Sequence, residues 1–160
     1  MKGSYILIIR LSSDRRIQVG WLRQHDFSSG YYAYVGSAIG GLKPRLLRHL
    51  KKNKTPRWHI DYLTERASIR SIIMSESVER NECKIAEGLE TQFASVAGFG
   101  SSGCGCTSHL FFAPSEEQLK SGIERTFSLL RLTCKAIQPQ DICRHLGTSS
   151  ISRSLHRRCQ

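Results

Sequence analysis

The sequence predicts an α/β (α+β) domain in which a small, mainly antiparallel sheet is flanked by helices, with an added hairpin strand. Residues 5–9 are almost continuously apolar and rich in isoleucine, as expected of a strand buried on both faces. Apolar and polar residues alternate over 17–21, which is the period of a half-buried strand. Leu42, Leu46 and Leu50 recur at helical spacing instead, so a helix with one buried stripe follows the early strands.

Turn and capping residues place the other elements. Ser28-Ser29-Gly30 interrupts the chain before a third strand, and Ser77 is suited to cap a long helix. Thr55-Pro56 has the chemistry of an N-cap followed by proline at the first helical position. The predicted strands are residues 5–9, 17–21, 31–35, 69–74 and 109–112, and the predicted helices are residues 42–52, 56–62, 77–93 and 115–132. The first two strands are expected to form a hairpin with each other.

Length and composition predict one compact domain and a tail. The 160 residues suffice for one core. We assign residues 1–135 to the domain and residues 136–160 to a basic, loosely ordered C-terminal tail, since the end of the chain is rich in Ser and Arg and has no period. The first apolar run is too short for a signal peptide, and no segment approaches transmembrane length, so a cytoplasmic location and no membrane partner are expected.

Positive charge dominates the composition, with 24 Lys and Arg against 13 Asp and Glu. Such a surplus favours polyanionic partners. It is densest over residues 43–57, which contain no acidic residue. One interpretation is a solvated basic face, and the other is contact with a phosphate backbone, which would relieve the repulsion between like charges. The candidate nucleic-acid contacts are Lys43, Arg48, Lys51, Lys52, Lys54 and Arg57.

Glu82 is the most informative single residue. At about 100° per residue it falls near the centre of the apolar face of the helix predicted over 77–93. An ionised carboxylate among apolar side chains is costly unless it is paired or binds a metal ion. Glu82 is therefore either a salt-bridge partner of a basic residue such as Arg45 or a functional carboxylate.

Several short motifs occur in a specific order. Gly3-Ser4-Tyr5 opens the first strand, Tyr34-Val35-Gly36 ends a later one, Arg45 and His49 follow one helical turn apart, and Glu82 comes last. In this order the set resembles the GIY-YIG nuclease superfamily, and most closely its small prokaryotic Uri-superfamily endonuclease branch.

The resemblance extends over roughly residues 2–112. Three further segments, residues 31–38, 58–62 and 98–102, are similar to the same branch. The likeness implies a metal-dependent endonuclease that hydrolyses phosphodiester bonds in DNA, in a repair setting, with RNA left open as a substrate.

The resemblance also implies a role for each of five residues. Tyr5 would act as general base toward a water molecule, with its pKa lowered by a nearby cation, and Tyr34 would orient that water. Arg45 would stabilise charge developing on the phosphate, and His49 would assist proton transfer or phosphate binding. Glu82 would hold one divalent ion, Mg²⁺ or Mn²⁺.

The sequence also departs from the family pattern. An extra strand's worth of residues, 17–27, separates the two tyrosine motifs. No asparagine follows the Glu82 helix where many members have one, and Gly103 stands where an acidic residue is expected. Tyr31 and Tyr32 are rival candidates for a catalytic phenol, and Tyr32 shares a strand face with Tyr34.

A second cluster of metal-binding residue types lies in the glycine-rich segment after the helix predicted over 77–93. Cys104, Cys106 and His109 have ligand types that suit zinc. Three ligands do not close a zinc site, and His59 and Cys83 are the candidates for a fourth. The alternative is a tight loop with reduced thiols.

Two other classes of function stay open beside the nuclease. One is a catalytically silent nucleic-acid-binding module that keeps the same fold. The other is a zinc-binding interaction protein centred on the Cys104, Cys106 and His109 cluster.

Overall fold

The computed structural model describes residues 1–147 and has the predicted α+β architecture. The strands are β1 Gly3–Leu11, β2 Arg15–Gln18, β3 Gln24–Phe27, β4 Gly30–Ala38, β5 Ser68–Glu76, β6 Ala94–Ser95, β7 Leu110–Ala113 and β8 Lys135–Ile137. The helices are α1 Leu42–Leu50, α2 His59–Thr64, α3 Glu82–Glu90, α4 Glu116–Leu129 and α5 Ile142–His145, with a short 3₁₀ turn at Pro139–Asp141.

Six strands form one antiparallel sheet in the order β6-β7-β4-β1-β5-β8, and β2 and β3 form a separate hairpin. The central strand is β1, the most apolar segment, as expected for a strand with neighbours on both sides and helices on both faces. Alternation along β1 sends Tyr5, Leu7 and Ile9 to one face and Ile6 and Ile8 to the other.

Each face of the sheet carries its own core. The face with Tyr5 is covered by α1, α2 and the β2–β3 hairpin, whose Phe27 packs edge-on against Phe99. The opposite face is covered by α3 and α4, through residues such as Ile85 and Ile123. None of the described helices has the length and apolarity needed to cross a membrane.

The predicted hairpin between residues 5–9 and 17–21 is wrong. Both edges of β1 are occupied, by β4 and by β5, so no backbone groups remain for a third partner. The second strand pairs with β3 instead, where Ile17 lies opposite His25. The added hairpin therefore packs as a unit against the sheet and does not extend it.

The helix predicted to begin at Ser77 begins at Glu82. The Ser77 hydroxyl accepts a hydrogen bond from the backbone of Glu79, and the Ser4 hydroxyl accepts one from the backbone of Asn81, so the intervening residues form a turn. Val78, expected on the apolar helix face, is 83% exposed. Glu82 thus lies in the first helical turn and not at the centre of an apolar face.

The helix expected from Pro56 likewise starts later, at His59. One carboxylate oxygen of Asp61 accepts hydrogen bonds from the backbone of Arg57 (2.8 Å) and of Trp58 (3.0 Å), so the carboxylate caps the helix from inside its first turn.

The boundary predicted between domain and tail, at residue 136, falls inside β8. This strand pairs with β5, and Ile137 is buried in the core together with Ile142 of α5. The apolar residues in this segment are too few to show a period, but the edge of β5 offers them a place to pack. Residues 148–160, the rest of the predicted tail, lie outside the described residues.

Two motif glycines are required by close strand packing. Gly36 lies opposite Tyr5 in the β1–β4 register, and a Cβ there would overlap the Tyr5 ring. Gly3 lies opposite Glu76, and a Cβ there would overlap the backbone carbonyl of Ser75. Both glycines therefore have a packing reason independent of any activity.

Replacing Gly36 with alanine is expected to destabilise the fold by about 1–3 kcal/mol, because the added methyl group must displace the buried Tyr5 ring. Urea unfolding measures the change. Gly40→Ala is the matched control, since a Cβ at Gly40 meets no atom within 4 Å. Equal effects of the two substitutions would show that contact with Tyr5 is not what excludes a side chain at Gly36.

Candidate functional site

Four of the five residues singled out by the motifs line one cleft of about 300 Å³. Tyr5 comes from β1, Tyr34 from β4, Arg45 from α1 and Glu82 from the first turn of α3. The antiparallel register of the central strands brings the two tyrosine motifs together. His49, the fifth residue, lies directly behind Tyr5.

The Tyr5 hydroxyl and His49 Nε2 are 2.7 Å apart and form a buried hydrogen bond. Burial raises the pKa of Tyr5 well above its usual value, and the neighbouring Tyr34 raises it further. Arg45 lowers this pKa, but by less than burial raises it. The expectation that a nearby cation lowers the pKa of this phenol is therefore wrong. Desolvation of the ring outweighs the guanidinium, and Tyr5 keeps its proton.

His49 is neutral, because burial lowers its pKa to about 3 against a partial opposing effect of Asp61. Its side chain is enclosed by Tyr5, Tyr34 and Trp58. Its Nδ1 atom is buried and has no hydrogen-bond partner in the described part of the chain. The imidazole therefore has Tyr5 as its hydrogen-bond partner, and it can accept the phenol proton through Nε2.

Arg45 is positioned by an aromatic ring. Its guanidinium lies 4.3 Å from the centroid of Trp58, which Arg48 contacts at 4.4 Å. No described salt bridge links Arg45 to Glu82, so the pairing considered from the sequence is not what accommodates that carboxylate. Arg45 instead faces the cleft with its charge available to a ligand.

Two buried oxygens at the cleft have no hydrogen-bond partner within residues 1–147: Glu82 Oε2 and Ser37 Oγ. A buried polar atom without a partner is costly, and at the wall of a cleft it is the atom that a ligand or metal ion would satisfy. Arg80 lines the same cleft. Sequence reasoning missed Ser37 and Arg80, although each lies within two residues of a motif residue.

Two cations of the basic segment pair with one carboxylate from α2. Asp61, whose side chain is fully buried, accepts two hydrogen bonds from Arg48 at 3.0 and 3.1 Å, and Lys54 lies 4.0 Å away. Arg48 and Lys54 therefore have structural roles, whatever else they contact. For these two cations the counter-charge comes from the next helix and not from the segment itself.

The other basic candidates differ in whether their side chains make hydrogen bonds within the protein. Lys52 donates to the backbone carbonyl of Thr64, and Lys43 donates to that of Gly147. Lys51 and Arg57 are exposed. Binding of nucleic acid by these residues stays a prediction.

The rival phenols lie elsewhere. The Tyr32 hydroxyl donates to the Ser28 carbonyl at 2.7 Å, and its ring packs between Phe27 and Phe112. Neither Tyr31 nor Tyr32 lines the cleft that contains Tyr5.

A metal-ligand cluster borders the same cleft. The ligand atoms of Cys83, Cys104, Cys106 and His109 all lie within 4.8 Å of one another, so these four residues could hold a metal ion. Cys83 is therefore the fourth member left open by the sequence. The other candidate, His59, uses its Nδ1 to accept a hydrogen bond from the backbone of Gly100 at 2.8 Å.

The three thiols and the imidazole are suited to a soft cation. Cys83, Cys104 and Cys106 are free. Burial lowers the pKa of His109, which is raised in turn by Glu82, so the imidazole is neutral and has a lone pair to offer. Cys104 and His109 also line the cleft, which places the cluster next to Glu82.

The chain has a match among known protein families. It matches the family described as Domain of unknown function DUF123 over residues 4–132, and it therefore belongs to that family. Comparisons with curated proteins and with solved structures give no match. The family match covers all five motif residues of the site and the four-residue cluster, while the GIY-YIG assignment stays a prediction.

The buried neutral His49 is expected to make stability depend on pH. Its folded pKa of about 3 lies below the unfolded value of 6.5, so the unfolded chain binds more protons between these values. Its contribution is complete above pH 6.5 and is lost as the pH falls toward 3, at up to about 1.4 kcal/mol per pH unit.

Urea unfolding at a series of pH values measures this slope. In His49→Gln the slope of the unfolding free energy against pH should be smaller by the contribution of one bound proton, whatever the absolute stability of the variant. An unchanged slope would mean that His49 is not the neutral buried group.

Proposed function

We propose that this protein is a GIY-YIG-type endonuclease that hydrolyses phosphodiester bonds in DNA with the help of Mg²⁺ or Mn²⁺. The convergence of Tyr5, Tyr34, Arg45 and Glu82 on one cleft carries the proposal, because their separation in sequence gives no reason for them to meet. In the described cleft Arg45 and Arg80 outnumber Glu82 by one charge, which complements a phosphodiester monoanion.

Glu82 fits the proposed ion. Its buried, unpartnered Oε2 is a hard oxygen ligand at the cleft wall, and Mg²⁺ and Mn²⁺ in nucleotide-handling sites are often held by one or two carboxylates, water and phosphate. Such an ion, when bound, supplies stabilisation of negative charge on the phosphoryl oxygens.

Proton transfer is proposed to run from water to Tyr5 and from Tyr5 to His49. As the water oxygen bonds to phosphorus and the P–O bond to the leaving group breaks, the water proton passes to the phenol oxygen and the phenol proton passes to Nε2 at 2.7 Å. The leaving oxygen takes up a proton from solvent, and the phenol never needs to be a free phenolate. The imidazole is a weak base in the unliganded protein. Negative charge on a bound phosphodiester raises the proton affinity of both groups.

Arg45 and Tyr34 complete the site. Arg45, positioned on Trp58, would stabilise charge that develops on the phosphate, and a positioned cationic donor of this kind is most effective in a partly desolvated cleft. Burial raises the pKa of Tyr34 to about 12, so its hydroxyl keeps its proton and can orient a water molecule or a phosphate oxygen.

Different ions are proposed for the two groups of ligands. The oxygen of Glu82 suits Mg²⁺ or Mn²⁺, and the thiols of the four-residue cluster suit zinc. The cluster also supports a second candidate function, a zinc-binding interaction protein. The third is a nucleic-acid-binding module without activity.

Cleavage of a labelled panel of single-stranded, nicked and branched DNA, with RNA counterparts and with Mg²⁺ or Mn²⁺, tests the proposal. Glu82→Gln and Arg45→Ala should each lower kcat by about 10²-fold or more, because each removes a group that stabilises charge at the phosphate. Glu79→Gln, an exposed carboxylate outside the cleft, should cleave like the wild type.

The outcomes separate the candidates. Equal cleavage by wild type and both cleft variants would indicate a contaminating nuclease and contradict the site assignment. Tight binding without cleavage under either metal ion would favour the silent binding module. Cleavage confined to the RNA counterparts would replace DNA as the substrate.

Lys51 is expected to contact the phosphate backbone, since it is an exposed lysine beside α1. Lys51→Ala should weaken DNA binding and reduce the slope of log affinity against log salt concentration by about 0.9. Fluorescence anisotropy at several salt concentrations measures both. Lys120→Ala removes one lysine from α4, on the opposite face of the sheet, and is the control; equal slopes in the two variants would exclude a contact at Lys51.

A further inference from the structure

The residues of the four-residue cluster come from two separate parts of the fold. Cys83 lies in the first turn of α3, directly after Glu82. Cys104, Cys106 and His109 belong to a loop, residues 98–109, which ends where β7 begins. An ion bound by all four would cross-link α3 to this loop at the wall of the cleft.

The loop is fastened at its base by backbone hydrogen bonds. Gly98 donates to Thr107 at 2.8 Å, and His109 donates to Phe99 at 2.8 Å. The carbonyl of His109 in turn accepts from Val35 at 2.9 Å, between Tyr34 and Gly36. The base of the loop is therefore connected to the strand that carries the Tyr34 motif.

The tip of the loop has fewer connections. The backbone of Cys104 donates to Ser101 at 3.2 Å, Cys104 Sγ lies 3.5 Å from His109 Nε2, and a Cβ added at Gly103 or Gly105 meets nothing within 4 Å. Cys106 packs against the core, while Cys104 is exposed. A metal ion is a common source of order for such a cysteine-rich loop tip.

We infer that Cys83, Cys104, Cys106 and His109 form a closed tetrahedral zinc centre that clamps the first turn of α3 to the loop and thereby positions Glu82. Three thiolates and one imidazole saturate a tetrahedral ion, so no coordination site is left for water, and the centre is structural. Positioning follows from adjacency, since the ion would hold the residue next to Glu82. Only the consequence for Glu82 rests on the proposed function.

Zinc analysis of the purified full-length chain tests the centre itself. About one zinc per chain is expected, and X-ray absorption should show three sulfur atoms at about 2.3 Å and one nitrogen at about 2.0–2.1 Å. Cys104→Ser and Cys83→Ser should each retain about tenfold less zinc after dialysis against a chelator. Cys134→Ser, which removes a free exposed cysteine outside the cluster, should retain all of it. A wild type that stays metal-free in zinc-containing medium, or a ligand shell with oxygen in place of sulfur, would overturn the centre.

Hydrogen exchange tests the clamp without relying on variants that could fail to fold. Chelation of zinc from the wild type should raise exchange in the first turn of α3 and in residues 99–109, with β1 unchanged. Unchanged exchange in both segments after complete zinc removal would overturn the clamp.

Positioning of Glu82 is tested by Mn²⁺ titration followed by electron paramagnetic resonance. Cys83→Ser should bind Mn²⁺ about tenfold more weakly than Cys134→Ser, as observed when groups that orient metal ligands are removed. Glu82→Gln should lose Mn²⁺ binding and keep its zinc. Equal Mn²⁺ affinity of zinc-free Cys83→Ser and the control would overturn positioning. A wild type that binds no Mn²⁺ would remove the metal ion of the proposed function and, with it, the positioning role, while zinc content and exchange still decide the clamp.

Discussion

The contact between the Tyr5 ring and Gly36 is the constraint on which the rest of the site depends. Because Gly36 has no side chain, the phenol of Tyr5 packs directly against β4 at this position and reaches His49 through a buried hydrogen bond. The same strand pairing brings Tyr34 to the cleft. The tight approach of two central strands thus produces a buried, protonated phenol in contact with a neutral imidazole, and the site derives its chemistry from packing.

A second constraint is charge balance beneath the cleft. The fully buried Asp61 neutralises Arg48 and caps α2 through two backbone amides, which fixes Trp58 at the start of that helix. The Trp58 ring in turn positions Arg45 through a cation–π contact. A buried ion pair of this kind is weak evidence for stability, but breaking it leaves an uncompensated charge. Its consequence here is positional, because it separates the structural cations Arg48 and Lys54 from Arg45, which faces the cleft.

Local sequence patterns predicted most of the fold. A continuous apolar run marked β1, leucine spacing marked α1, and Ser115 marked the start of α4, where its hydroxyl accepts a hydrogen bond from Gln118. These local patterns failed where a residue that is distant in sequence decides how a strand pairs or where a helix begins. The pairing of β2 depends on which edges of β1 are free, and the start of α3 depends on a hydrogen bond from Asn81 to Ser4, 77 positions earlier in the chain.

The sequence by itself determined the residue types of the site, their order, and the cysteine–histidine segment, since short-range spacing records strands, helix faces and ligand loops. Only the tertiary structure decided that Tyr5, Tyr34, Arg45 and Glu82 share a cleft, that Cys83 joins the cluster, and that Asp61 pairs with Arg48 of the basic segment. It also reversed the expected direction of the Tyr5 pKa. The physical reason is that desolvation, ion pairing and metal-ligand geometry depend on distances in space, and residues far apart in the chain acquire those distances only when the sheet and helices pack.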